Sequence, residues 1–395
     1  MASPIEEARV KLSGIGTMQA IGVVAAIVGL GGFFFGVSSK AVEHPWQSYL
    51  YGFMVWTVLA FGCLSISLLI HMTRGKWGYT FIRVMEAGSK TVLLMAVLFI
   101  PILAFLKDIY PWANPDLVAA SKTMQHRAAL LNLQWFAIRS AVYFAVWIVL
   151  AFVLSKWSKD EDRTGDVNYL IKRTNLAAPG AVLLVLTVNF AVTDWVMSLE
   201  QHWYSTIFGL IFVAGGALMA LALAATYLGM VWKREPFTSL LNPKNFHDIG
   251  NLLFTLVVFW AYLAFSQFLI TWSGNLPEEI IYYANRKEGP WMPVGTGIIL
   301  LHFFLPFLLL LSARLKRTPS MLLPVAIWIF LIRIAEVTWE VLPSFHRTGV
   351  QFSWVDAAAV IGIGGIWFAV FGQILRSTQL LPRYLQQPSE VAEHA

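Results

Sequence analysis

Ten ionisable side chains lie in or beside stretches otherwise suited to hydrocarbon, and their spacing sorts them into sets. His71 is followed by Arg83, Glu86 and Lys90, and the i, i+3, i+7 spacing of the last three puts them on one helical face. Arg333, Glu336 and Glu340 repeat that spacing far along the chain, with Arg139 and Asp194 in two further apolar runs. His302 lies midway through another run, between the two groups in depth. A charge inside a bilayer is expensive and survives by pairing or by facing water. Two kinds of chemistry are therefore open. In one, Arg83–Glu86 and Arg333–Glu336 are internal ion pairs that fix helix packing, with His302 satisfied by a neighbouring carbonyl. In the other, acids, bases and histidine at successive depths relay protons or serve a redox carrier.

A second concentration of polar groups occupies 189–209, NFAVTDWVMSLEQHWYSTIFG, where two long apolar runs meet almost without a break. Asp194, Ser198, Glu200 and His202 sit there among Trp195 and Trp203. In a helix Ser198 lies one turn beyond Asp194 on the same face. The tryptophans suit the bilayer interface, where an amphipathic ring is best placed. A plainer alternative is a short re-entry turn with interfacial anchors and a capping acid.

The elements that must position these groups are read from composition. A chain of 395 residues that is 58% hydrophobic and 13% charged is not a soluble enzyme. Its 17 Trp and 28 Phe fit a membrane protein with aromatic belts. Ten apolar runs are each long enough to cross ~30 Å of hydrocarbon at ~20 residues apiece. They fall near 18–37, 50–71, 87–106, 134–155, 179–199, 204–230, 249–270, 292–313, 321–341 and 357–375, and are numbered here as helices 1 to 10. The expected organisation is a polar tail over 1–17, one transmembrane domain over 18–376 and a second polar tail over 377–395, with no cleavable signal. Most Lys and Arg fall in the loops on the side of the two tails, so both termini are expected in the cytoplasm. The net charge of +6 is then a topology signal, not a nucleic-acid footprint. The single cysteine, Cys63, excludes a disulfide framework and a thiolate-held cluster. Only His302 among eight histidines is deep in a run, so bis-histidine haem ligation has no partner and no metal site is expected. No phosphate-cradling glycine loop supports ATP-driven transport.

Four stretches together resemble the NrfD/polysulfide-reductase-like integral membrane subunits, most closely those of the ActF type in bacterial alternative complex III. They are HMTRGKWGYTFIRVMEA (71–87), LNLQWFAIRSAVYF (131–144), TDWVMSLEQHWYSTIFG (193–209) and NFHDIGNLLFTLVVFWAYLAFSQFLITWSGNLPEE (245–279). The resemblance runs through nearly the whole membrane region, while helices 1 and 10 carry little of it. It implies an all-α membrane fold in which helices 2–5 and 6–9 form two four-helix bundles flanked by helices 1 and 10. It also implies a place in a quinol:electron-acceptor oxidoreductase of a bacterial respiratory or photosynthetic chain, in the cytoplasmic (inner) membrane. The partners so implied are a paralogous quinol-binding membrane subunit, an iron–sulfur protein, haem c subunits, small membrane subunits and lipids, with no nucleic acid. This chain would support assembly and carry half-channels for protons: His71, Arg83, Glu86 and Lys90 from one side, and Arg139, Asp194, Arg333, Glu336 and Glu340 from the other, with His302 between. No redox cofactor is expected on this chain alone. Iron–sulfur clusters and haem c would lie in partners, docked against the outer loops 111–133 and 273–293.

Two further readings remain open at this point. A quinone-binding catalytic subunit would use Asp194 as the base that takes a quinol or menaquinol proton, with His202 and Trp195 beside it. An autonomous proton-coupled transporter would use broken helices with matched Gly/Pro interruptions, of which the sequence has no pair.

Overall fold

The computed structural model describes residues 13–75, 77–201, 203–235, 237–287, 291–346 and 352–382. The terminal tails and His202 therefore lie wholly or mostly outside the described residues. Of the described residues 84% are helical, and no strand occurs among them. Among the described residues ten helices are long and apolar enough to cross a membrane: α1 Ser13–Ser38, α2 Pro45–Thr73, α3 Ile82–Ala104, α4 Leu133–Thr164, α5 Asn168–Trp195, α6 Phe208–Val231, α7 Pro243–Gly274, α8 Trp291–Leu310, α9 Pro319–Val341 and α10 Trp354–Arg376. These correspond one to one with the ten apolar runs.

Two helices form the axis of the molecule. In the most apolar stretches of α2 and α6, 89% and 83% of the residues are buried, so neither faces lipid to any extent. They cross where two glycines meet, and a Cβ on Gly62 would stand 2.0 Å from the carbonyl oxygen of Gly216. Without a hydrophobic drive between helices in lipid, such close backbone approach is what holds them together. Around this axis α2 packs on α3, α5 and α10, while α6 packs on α5, α7 and α9. The helices α4 and α5 pair, as do α7 and α8, and α8 rests on α9. Outermost, α1 lies along α10 through small residues, with a Cβ on Gly29 only 2.2 Å from the Gly362 nitrogen.

Faces turned away from these contacts carry large apolar side chains. On α5, Val182, Leu186 and Phe190 recur every fourth residue and are exposed, as a lipid-facing stripe must be. The helix ends are set by local chemistry. Asn242 caps α7 in a capping box with Asn245, ahead of Pro243 at the first turn, and Ser353 caps α10 in the same way with Asp356. Gly165 closes α4 at φ 72°, a conformation that favours glycine.

Three features differ from the sequence expectation. First, α4 runs nine residues past the expected end at 155, to Thr164, and α5 begins at Asn168 rather than near 179. Hydropathy marks where hydrocarbon ends, whereas the segment KWSKDEDRT has no helix breaker before Gly165. Second, α3 is three consecutive helical pieces, Ile82–Lys90, Val92–Leu98 and Ile100–Ala104. Third, Trp195 and Trp203 are not interfacial anchors, since each is only 1% exposed. Trp195 packs among Phe99, Phe144 and Trp147, and Trp203 stacks on Tyr282 at 4.0 Å.

Candidate functional site

The buried charges gather at three places. The first lies where α2 ends, α3 begins, α4 ends and α5 begins. Arg83 donates to Glu86 Oε2 (2.7 Å), to Ser158 Oγ (2.8 Å) and to Asp162. Arg173 pairs with Glu161 and donates to Ser158 Oγ (3.2 Å) and to His71 Nδ1 (3.3 Å). A guanidinium can only donate, so Nδ1 of His71 must accept and its hydrogen belongs on Nε2. That nitrogen lies 3.6 Å from Glu86 Oε1. The two arginines thus share one hydroxyl, Ser158, with three carboxylates and a histidine gathered on the guanidinium groups, and Arg83, Arg173 and Ser158 are each at most 1% exposed. Lys90 follows on the same helix, half-buried and within electrostatic reach of Glu86 and Lys159.

The sequence reading found His71, Arg83 and Glu86 and missed Ser158, Glu161, Asp162 and Arg173. They lie in the helical extensions beyond the apolar runs. The i, i+4 spacing of Ser158 and Asp162 was the available signal, since it puts both on the face that Arg83 meets.

The second place is at the opposite ends of α4 and α5. Asp194 accepts both prongs of Arg139, Nε to Oδ2 at 2.8 Å and Nη2 to Oδ1 at 2.9 Å, and the Tyr143 hydroxyl adds 2.8 Å to Oδ2. Such a fork-on-fork pair is the strongest geometry available to the two groups. Arg139 also donates to the Leu130 carbonyl (2.9 Å). Next to it, Trp195 donates to Ser140 Oγ (3.0 Å) while its own carbonyl accepts from Tyr110 (2.9 Å). Burial, with the Asp194 carboxylate adding to it, holds the Tyr110 phenol well above its ordinary range, so it stays a donor.

The third place lies in the other half of the molecule, where α6, α7, α8 and α9 meet. Arg333 pairs with Glu336 Oε2, and Trp260 donates to Glu336 Oε1. His302 Nδ1 lies 3.4 Å from Glu336 Oε2, with its ring 4.0 Å from the Trp260 ring. His302, Arg333 and Glu336 are all at most 1% exposed. Gly215 on α6 makes the slot for the guanidinium, since a Cβ there would stand 2.1 Å from Arg333 Nη2. His302 sits in a π-helical turn, Ile299–Phe304, and is the residue four before Pro306. A proline clashes with the carbonyl four residues back and lacks its own N–H, and a wider turn absorbs both defects. The turn thereby adds a residue to the helix and presents the imidazole to α7 and α9.

One turn further along α9, Glu340 accepts from the Tyr282 hydroxyl of the short helix Pro277–Lys287. Arg286 spends its donors on carbonyls instead, those of Tyr282 (3.0 Å), Trp339 (3.2 Å) and Glu340 (3.1 Å), with its guanidinium 3.5 Å from the Tyr282 ring centre. Burial raises the Tyr282 phenol well above its ordinary range against the pull of Arg286, and the Glu340 carboxylate adds to the rise.

The expected outer set is therefore two separate sites. Arg333 pairs with Glu336 on its own helix and not with Asp194, which Arg139 holds. His302 is not isolated between the sets but belongs to the Glu336 cluster. Trp260, Tyr282 and Arg286 were missed, because a tryptophan in an apolar run and an arginine in a loop carry no signal of the carboxylate they serve. Among the described residues no group of three or more His, Cys, Asp and Glu side chains could hold a metal ion. No family model matches the chain, and no curated protein matches it.

Proposed function

We propose that this chain is an integral membrane subunit of a bacterial quinol:electron-acceptor oxidoreductase of the alternative complex III kind. In that assembly it supports the other subunits and carries protons. The observation that carries the reading is the pair of buried charge clusters, His71–Arg83–Glu86–Arg173 and His302–Arg333–Glu336, within the set of ten apolar spans. Each combines a carboxylate, a guanidinium and a titratable imidazole, which is more than ion-pair packing needs. One stands at the ends of α2 to α5 on a single side, and the other stands midway and beyond in α7 to α9. Staggered depths of this kind suit two half-channels reached from opposite faces.

The helix pairings support grouping α2–α5 and α6–α9 as two four-helix bundles, with α1 and α10 outside them. Both termini would then lie in the cytoplasm of a cell with a bacterial inner membrane. Electrons would travel on iron–sulfur and haem c partners, beside a paralogous subunit that oxidises quinol. The alternative in which Asp194 is the quinol base draws less support. Its carboxylate is already held by two prongs of Arg139 and by Tyr143, and Trp195 is enclosed.

The test is purification of the tagged chain from its native membrane in mild detergent. The expected result is a multisubunit particle with the absorption of reduced haem c and quinol-dependent reduction of an acceptor. A chain that purifies alone and moves a solute in liposomes would overturn the reading in favour of an autonomous transporter.

A further inference from the structure

A cavity of about 800 Å³ lies between α1, α6, α9 and α10. Met18 and Ile21 of α1, Leu223 and Met230 of α6, and Ile361 and Phe368 of α10 are among its walls. Ile21, Met230 and Ile361 are each 50% or more exposed, so the cavity is a groove open sideways to lipid. It runs from Gly14 to Ala25 along α1 and from Ile361 to Leu375 along α10. At ~1.5 Å per residue that is roughly 17–21 Å, little more than half of the ~30 Å hydrocarbon thickness. The groove therefore covers one leaflet and its headgroup edge, on the side where α1 begins and α6 and α10 end.

That edge is basic. Among the described residues of the walls Arg234 alone is charged, and it stands just past the end of α6. Arg376, the last residue of α10, reaches across to α1 at the same end. Its Nη1 donates to Gln19 Oε1 (2.6 Å), and its Nη2 lies 2.7 Å from where a Cβ on Gly16 would stand. Lys233 and Glu235 flank Arg234 in the chain, so positive charge stays in excess there. Further in, Thr226 and Tyr227 line the groove, and neither hydroxyl has a hydrogen-bond partner among the described residues. A hydroxyl shut from water without a partner is costly, and a ligand oxygen that accepts from it removes the cost.

We propose that this groove holds a two-chain anionic phospholipid. Its phosphate lies on Arg234 and Arg376, its ester carbonyls accept from Thr226 and Tyr227, and its acyl chains run along α1 and α10. A guanidinium meets phosphate oxygens with paired N–H donors and keeps others for a second partner. The order of groups fits as well, since a phospholipid carries its esters just inside its phosphate and its chains beyond them. A transmembrane helix of a partner would fill the apolar part of the groove but bring no anion to the basic edge. The lipid would seal α1 to α6, which the groove otherwise separates. None of this depends on the redox reading above.

The test is native mass spectrometry of the purified, delipidated full chain, titrated with dioleoyl phosphatidylglycerol or with dioleoyl phosphatidylcholine. One phosphatidylglycerol should be retained, about fivefold or more tighter than phosphatidylcholine, as one or two basic groups at a lipid surface provide. Arg234→Gln, at an exposed position, should remove most of that preference. Ile361→Trp, at an exposed position on the groove wall, should abolish retention of both lipids. Equal affinity for the two lipids in the unsubstituted chain would overturn the proposal. So would a preference that survives Arg234→Gln, or retention that survives Ile361→Trp. In native membranes, a photo-reactive benzoylphenylalanine at position 361 should give lipid adducts. Adducts to protein alone, a partner's or this chain's own, would overturn the proposal in favour of a docked segment.

Discussion

Glu336 shows how a single acid is held within a membrane span. Arg333 neutralises it from one turn away on the same helix, Trp260 donates from α7, and Gly215 on α6 leaves the room that the guanidinium needs. Removing one member of such a pair strands the other, at about 3–5 kcal/mol. Glu336→Gln and Arg333→Met should each lower the melting temperature of the purified chain sharply, while the double variant should lose clearly less than the sum of the two. Strict additivity would show that the two side chains are not coupled. Three tyrosines beyond the span ends make a pH prediction. Tyr110, Tyr282 and Tyr283 are all raised by burial, so in the unfolded chain each loses its proton at a lower pH than in the fold. The stability tied to them is fully present below the ordinary phenol value of about 10 and is lost as pH rises above it. Melting temperature should fall between about pH 10 and 11, and Tyr282→Phe should flatten that fall. An equally steep fall in the variant would contradict the assignment.

At the scale of elements, contact between α2 and α6 depends on two residues without side chains. Adding a methyl at Gly62 puts it 2.0 Å from the Gly216 carbonyl oxygen, and backbone cannot yield as a flexible side chain does. Gly62→Ala should therefore destabilise the chain by about 1–3 kcal/mol, measured by thermal unfolding in detergent. An unchanged melting temperature would mean that the two helices do not cross there. The ten elements themselves were legible in the sequence, because a run of some twenty apolar residues has few other uses. Their ends were less so. The far end of α4 is polar and helical, and it carries Ser158, Glu161 and Asp162 into the cluster around Arg83. Hydropathy is silent about that extension, and so those residues were assigned to a loop. Periodicity showed that Arg333 and Glu336 share a face, and they do pair. It could not show that α8 widens into a π turn at Ile299–Phe304, which is what turns His302 toward the pair.

Across the whole molecule, the C-terminal ends of α5 and α9 are built alike. Each places a carboxylate in its last turn, Asp194 or Glu340, ahead of a short 3-10 turn, and each receives a tyrosine hydroxyl, from Tyr143 or Tyr282. What differs is the arginine. Arg139 grips the Asp194 carboxylate, whereas Arg286 holds the backbone around Glu340. The first half thus ends in an arginine–carboxylate clip and the second in an arginine that grips main chain. Near-identical frames carry different chemistry, and the polar clusters inside them are the proposed route for protons. The most direct test of that proposal follows quinol oxidation and proton movement together, in the particle that co-purifies with the tagged chain, reconstituted into liposomes, for Glu86→Gln, Glu336→Gln and Asp194→Asn. The expected result is that Glu86→Gln and Glu336→Gln lower the protons moved per quinol while turnover continues, and that Asp194→Asn changes the ratio little. A ratio unchanged by both glutamate substitutions, in complexes that remain assembled, would contradict a proton path through this chain and leave the clusters as packing devices.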